Sequence, residues 1–280
     1  METAGSVWLV RNPASGSNDE GRLEELDGAL KRAGLAVAKT ILFPSEPLPT
    51  ADELDAAGIA TLVVFAGDGT VNAAVTGLYG WGGRILVLPG GTMNLLSIIL
   101  HGERDAPAIL ARLDDARVRR IPVIRTASGD ALAGLIVGPG TAWNHVREAM
   151  RAGDVLRFIS ETASAIEEST AGSMVICEPA KGCRSEGYSA IMLTPDDKGI
   201  IVEGYYAASF ADYAQQGLAL LRRNFRQGPH DKLGTFEALT CRGLDGEATD
   251  LLIDGEPAEG GHDIAFELAH AEVDLISTGG

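Results

Sequence analysis

The segment Leu62-Val63-Val64-Phe65-Ala66-Gly67-Asp68-Gly69-Thr70-Val71-Asn72 constrains the chain more than any other. An apolar run of β-branched and aromatic residues stops at Gly67, a second glycine follows at 69, and an Ala-rich stretch runs from Ala73 to Leu78. This predicts a buried strand, a tight turn and the start of a helix. Glycines at 67 and 69 permit backbone angles closed to other residues, so main-chain N–H groups can converge on an anion. A helix starting there aims the positive end of its dipole at the same point. A carboxylate inside such a cradle repels phosphate unless a divalent cation or a transferable proton lies between them. Asp68 is therefore expected to hold Mg²⁺ beside a nucleotide, or to take the proton of an attacking hydroxyl. A lone Gly-Asp-Gly is also an ordinary turn, so the rest of the chain decides.

Upstream, Ser6 to Val10 reads as a strand ending in Arg11-Asn12-Pro13-Ala14-Ser15-Gly16-Ser17. Glu20 to Ala33 carries Leu23, Leu26 and Leu30 at helical spacing and stops at Gly34. Val37 to Phe43 is a second strand, residues 44–50 a proline-rich loop, and Ala51 to Ala57 a short helix. Downstream, the buried strand Arg84 to Pro89 runs into Gly90-Gly91-Thr92-Met93-Asn94 and an apolar helix, Leu95 to Leu100. The two turns share Gly-Thr-x-Asn. In a parallel sheet both lie at the carboxyl ends of strands, where ligands bind in open α/β folds. Two such turns are placed to flank a triphosphate, or else Gly-Thr simply supplies a turn with Thr as N-cap.

After a helix at Ala106 to Leu113, the texture changes between Arg117 and Ile124. Short alternating strands follow: Leu132 to Val137, Met174 to Cys177, Ala190 to Leu193, Ile200 to Ala207, Phe236 to Arg242, Leu251 to Ile253, Ile264 to Ala269 and Val273 to Ile276. Helical stretches at 143–171 and 211–226 interrupt them. The pattern predicts an antiparallel β-sandwich, with domains at 1–122 and 123–280 meeting across a cleft. Within the second, Leu251-Leu252-Ile253-Asp254-Gly255-Glu256-Pro257 delivers two acids to one turn, although Asp-Gly is first of all a hairpin signal. Asp245-Gly246-Glu247 reads as an ordinary turn.

The formal net charge of −16 over 280 residues argues against nucleic acid, whose binding draws on basic stripes. Cys177, Cys183 and Cys241 are odd in number and lack Cys-x-x-Cys spacing, so reduced thiols in a cytoplasmic protein are expected, not zinc ligands. The N-terminus lacks the pattern of a signal peptide, and no apolar run reaches the ~20 residues that span a bilayer. A lipid substrate would be met from the water side, with at most transient contact at the inner membrane surface; the basic, apolar stretch Leu218 to Arg226 is one candidate for it, a solvated helix end being the simpler reading. His145 and His230 read as structural; Trp143 and Phe158, with Leu156 and Ile159, are candidates to line an acyl pocket, core packing being the simpler reading.

The ordered pieces Asn12-Pro13-Ala14-Ser15-Gly16, Ala66-Gly67-Asp68-Gly69-Thr70-Val71-Asn72, Pro89-Gly90-Gly91-Thr92-Met93-Asn94 and Asp254-Gly255-Glu256-Pro257 resemble the four motifs of the diacylglycerol kinase and sphingosine kinase catalytic fold, in particular that of the bacterial soluble lipid kinases. Gly140-Thr141-Ala142-Trp143 and Arg151-Ala152-Gly153-Asp154 resemble further landmarks of the family. The resemblance implies an α/β N-terminal domain like that of NAD kinases and phosphofructokinases, a C-terminal β-sandwich domain, and ATP between them. It implies ATP- and Mg²⁺-dependent transfer of a phosphoryl group to a lipid hydroxyl, on diacylglycerol or a sphingoid base. A small soluble alcohol or a dinucleotide as acceptor, or a weakened regulator that only binds, are the alternatives, and a homodimer is left open. By the same resemblance Asn12, Ser15, Gly16, Gly67, Gly69, Thr70, Asn72, Gly91, Thr92, Asn94 and Gly255 contact the nucleotide. Asp68 and Glu256 share the roles of base and metal ligand, with Asp254 a further metal ligand. The chain departs from the family at Ala66, where bacterial members usually have glycine, and at Leu95, where many have Asp. It also lacks the usual Asp-Gly turn before the late strands, Asp212 being the nearest candidate.

Overall fold

The structure is a computed structural model that describes residues 5–13, 20–138, 174–180, 182–205, 230–244 and 246–279. The chain divides into two compact units, Met1–Ile121 with His270–Gly280, and Pro122–Ala269. The expected helices at 143–171 and 211–226, the landmarks at 140–143 and 151–154, Asp212 and His145 lie outside the described residues.

In chain order the first unit holds β1 (Gly5–Arg11), α1 (Glu20–Arg32), β2 (Leu35–Leu42), α2 (Ala51–Ala56), β3 (Thr61–Ala66), α3 (Asp68–Gly77), β4 (Arg84–Pro89), α4 (Leu95–His101), α5 (Ala106–Leu110) and β5 (Arg117–Arg119). Local chemistry sets several boundaries. Gly34, at φ +73, ends α1 where a side chain would be strained. Thr50 and Glu53 form a reciprocal capping box that starts α2.

Strands β3 and β4 are apolar at consecutive positions because both faces of the sheet are covered. Val63, Phe65, Leu86 and Leu88 share one core with Leu26, Ala29 and Leu30 of α1 and Ile109 and Leu110 of α5. Helices α3 and α4 pack on β3 and β4, and the alternate residues Leu62, Val64, Ile85 and Val87 are buried too.

The second unit begins with β6 (Pro122–Thr126), β7 (Gly129–Ala131), β8 (Leu135–Gly138), β9 (Val175–Glu178), β10 (Ala190–Asp196) and β11 (Gly199–Tyr205). It continues with β12 (His230–Phe236), β13 (Ala238–Gly243), β14 (Thr249–Ile253), β15 (Glu256–Gly261) and β16 (Asp263–His270). They form sheets ordered β12-β11-β10-β8-β14-β15 and β7-β6-β16-β13-β9, with antiparallel ladders. One core takes inward residues from both, among them Leu135, Ile191, Val202 and Leu251 from the first and Ile124, Cys177, Cys241 and Phe266 from the second.

The last strand departs from expectation. The sequence pattern puts β17 (Asp274–Ser277) in the sandwich, but it enters the first unit's sheet, whose order is β2-β1-β3-β4-β17-β5. It runs parallel to β4 and antiparallel to β5. The expected division at 1–122 and 123–280 therefore misplaces this strand. Alternating apolar residues mark a strand but carry no information about which sheet receives it.

Candidate active site

Three strand ends of the first unit converge. In the order β2-β1-β3-β4 the chain leaves β1 and β3 toward opposite sides, which makes their carboxyl ends a topological switch point. Asn12 follows β1 and Gly67 follows β3. Across that point the Asn12 amide Nδ2 donates to the Thr70 hydroxyl at 3.1 Å.

The Gly-Asp-Gly segment is not a separate turn. Gly67 is the N-cap of α3 at φ −79, and Asp68, Gly69 and Thr70 already form its first turn. Neither Gly67 nor Gly69 has a positive φ, so the expected left-handed angles are absent. The motif glycines serve close approach instead. A Cβ on Gly91 would lie 2.5 Å from Gly67 Cα, and one on Gly90 would lie 2.6 Å from the Ala66 nitrogen. No side chain caps α3, and the first N–H groups of a helix have no acceptor within it. The ten-residue helix thus directs amide donors and its positive end out of the switch point.

The echo Gly-Thr-x-Asn does not repeat in space. Gly69 to Asn72 is helical, whereas Gly91 to Asn94 precedes α4, and Thr caps neither helix. Asn94 itself sits in the left-handed region at φ 54 and ψ 41, a conformation that asparagine tolerates. Its side chain closes the turn, with Oδ1 accepting from the Gly91 N–H at 2.7 Å and Nδ2 donating to the Gly91 carbonyl at 2.8 Å.

Asp68 joins the two turns. One carboxylate oxygen accepts the Asn94 N–H at 2.9 Å and the other the Leu95 N–H at 2.6 Å. Charge-assisted bonds of this kind are roughly twice as strong as neutral ones. Sequence reasoning missed this role because the partner amides lie in another segment and carry no side-chain signature. Leu95 turns its own side chain into the core, 3% exposed. Asn72 is half-buried within α3, and Thr92 is exposed. Ser15 and Gly16 lie outside the described residues.

In the second unit, Asp254 and Gly255 are the two central residues of the β14–β15 hairpin, with φ of +48 and +89 and Ile253 paired to Glu256. Positive φ at both positions is the requirement of a type I′ turn. The Asp254 side chain is 4% exposed, and its carboxylate accepts N–H groups from Leu132 at 2.9 Å, Ala133 at 2.8 Å and Gly134 at 3.2 Å. The Asp254 N–H donates in turn to the Gly134 carbonyl at 3.0 Å. Glu256, two residues on, is exposed at the start of β15. His230 has an acid neighbour that sequence spacing hid: Glu203, on the adjacent strand, lies 3.4 Å from its Nε2.

The fold has an α/β unit with glycine-rich turns at converging strand ends, followed in sequence by antiparallel sheets. Residues 6–126 match the family described as the diacylglycerol kinase catalytic domain. The fold is shared over nearly the whole length. A diacylglycerol kinase from Bacillus anthracis str. Sterne superposes with a TM-score of 0.63 at 16% identity, over 99% of this chain and 98% of that one. A second structure, described provisionally as a diacylglycerol kinase from the same strain, gives 0.62 at 17% identity over the same shares. No curated protein sequence matches the chain.

Proposed function

We propose that the protein is an ATP- and Mg²⁺-dependent lipid kinase that transfers the γ-phosphoryl group to the hydroxyl of diacylglycerol or a sphingoid base. The observation that carries this reading is the convergence of Asn12, Thr70, Asp68 and Asn94 at the carboxyl ends of three parallel strands, within the segment that matches the diacylglycerol kinase catalytic domain. The matched domain supports the class of reaction; the acceptor is the further step of the proposal, as is the NAD kinase-like character of the first unit.

On this reading the α3 N-terminus, through the Gly69 and Thr70 amides, receives phosphate oxygens, and Asn12 orients the Thr70 hydroxyl toward them. Thr92 and Asn94 flank the nucleotide from the neighbouring turn. Ser15, Gly16, Asn72, Gly67, Gly91 and Gly255 keep the contact roles that the family motifs imply. Among the described residues no group of three His, Cys, Asp or Glu side chains could hold a metal by itself. That suits Mg²⁺, which is commonly bound by one or two carboxylates together with substrate phosphates. The Asp68 carboxylate offers about four acceptor sites, and the Asn94 and Leu95 amides each use one. When bound, Mg²⁺ neutralises charge on the phosphates. Asp68 and Glu256 each keep the role of base or metal ligand that the family motifs imply. Asp254 already gives its carboxylate to three amides and contributes chiefly by holding the turn that presents Glu256.

Leu95 favours a second reading, a weakened nucleotide- or lipid-binding regulator, since it supplies only a backbone amide where many family members carry an acid. Incubation of the full chain with radiolabelled ATP, Mg²⁺ and a mixed lipid extract tests both. A labelled phospholipid is the expected product. A water-soluble labelled product moves the acceptor to a small alcohol or dinucleotide, and nucleotide binding without turnover establishes the regulator.

A further inference from the structure

Away from these strand ends, all three cysteines of the chain gather in the sandwich core, each a free thiol. Cys177 on β9 and Cys241 on β13 are opposite one another in the antiparallel ladder, and both are buried. Cys183 lies in the connection that follows β9 and is half-buried. Its Sγ is 3.7 Å from the Sγ of Cys177 and 3.4 Å from the Cys177 carbonyl oxygen. A disulfide needs about 2.05 Å between the sulfurs, a gap that rotation of side chains in a connecting segment can close. No metal explains the cluster, since no group of three ligating side chains suited to a cation occurs among the described residues.

We propose that Cys177 and Cys183 form a peroxide-sensitive pair that closes to an intramolecular disulfide, with Cys241 as a bystander thiol. Exposure assigns Cys183 as the sulfur that meets the oxidant. Its Sγ attacks one peroxide oxygen, the O–O bond breaks, and the departing hydroxide leaves as water with the thiol proton, giving the sulfenic acid. Cys177 Sγ then attacks Cys183 Sγ. The S–O bond breaks, and the second hydroxide leaves as water with the Cys177 proton. The two thiols lose two electrons and the peroxide becomes two waters. Access rather than acidity sets this order, because desolvation raises the pKa of Cys183, whereas the Cys241 thiol hydrogen-bonds to the Cys177 sulfur and lowers its pKa. The thiolate is the attacking form, so Cys177 is suited to the resolving step. Closure would tether the connection to β9, on the same stretch where Tyr188 donates to the Asp231 carboxylate at 2.9 Å.

The test treats the full chain with hydrogen peroxide, alkylates it under denaturing conditions and maps the labelled peptides. The expected result is that only Cys241 is labelled, that dithiothreitol restores labelling at Cys177 and Cys183, and that no dimer appears on a non-reducing gel. Cys183→Ser should then keep both remaining thiols labelled after the same treatment; the half-buried position and a near-isosteric side chain make folding of the variant a modest demand, and its melting temperature checks it. Full labelling of the treated wild type, a Cys177–Cys241 bond, a bond between chains, or oxidation that dithiothreitol does not reverse would each overturn the proposal. Wild-type mapping alone decides the matter if the variant fails to fold.

Discussion

The carboxylate of Asp68, in the first turn of α3, accepts the backbone N–H of Leu95, the first residue of α4, at 2.6 Å. The acid that the sequence marks for chemistry is thus also the link between two strand-end turns.

Asp68→Asn is expected to lower phosphorylation at least tenfold, about 1.4 kcal/mol in the barrier, while nucleotide binding stays measurable. One acceptor oxygen becomes an N–H₂ group facing an amide donor, so a stability loss of about 1–3 kcal/mol should accompany it. Urea unfolding separates the two effects. A variant that keeps more than a tenth of the wild-type rate removes Asp68 from the roles of base and essential metal ligand.

Gly91→Ala should destabilise the first unit without touching any charged group. Its Cβ would meet Gly67 Cα at 2.5 Å, a backbone atom that cannot swing aside, and overpacking of this kind costs about 1–3 kcal/mol. A lower urea midpoint with an unchanged m-value is the expected result. Unaltered stability would show that the strand ends have room to separate.

The neighbouring acids Asp254 and Glu256 should behave oppositely. Asp254→Ala strands three amide donors, each worth about 1–3 kcal/mol when buried and unpaired, so a loss of roughly 3 kcal/mol or more is expected. Asp254→Asn should cost less, because asparagine retains one acceptor and tolerates positive φ. Denaturant titration of both variants checks the ranking.

Glu256→Gln, at an exposed position, should leave the melting temperature within a degree or two and lower the rate at least tenfold. A folded variant whose pH–rate profile is unchanged takes Glu256 out of the base role.

Much of the first unit could be read directly. β4 has the predicted bounds, Gly34 stops α1 as expected, and the consecutive apolar residues of β3 follow from burial on both sides. What could not be read required partners distant in the chain. The carboxylate of Asp254 is satisfied by amides 120 to 122 positions away, and amides leave no trace in composition. Helix α3 starts at Asp68, before the Ala-rich stretch that the sequence marks as its start, because Gly69 lowers helix propensity by about 1 kcal/mol whereas packing against the second turn fixes the backbone there. Of the candidate site, Asn12, Thr70, Asp68, Gly91 and Asn94 are brought together by bonds that spacing alone did not specify.

Stability should also fall in mild acid. His101 is buried at the end of α4, with Nδ1 3.0 Å from the Thr278 hydroxyl. Burial lowers its pKa from 6.5 to about 4. Between those values the unfolded chain binds the proton that the folded chain excludes, so stability is full above about pH 6.5 and declines as the pH falls toward 4. The gap corresponds to roughly 3 kcal/mol. Urea unfolding at several pH values should show the decline, and His101→Gln should flatten it.

The insertion of β17 between β4 and β5 bears on how the molecule can be made. A ribosome has produced the entire sandwich before the strand that joins those two neighbours emerges, so the nascent α/β layer waits with β4 lacking its outer partner. A fragment stopped at residue 126 would carry every glycine-rich motif of the first unit and still present an open edge, inviting another chain to pair with it. Intact expression, or a circular permutant that restores β17 beside β4, is the route to a well-behaved catalytic unit.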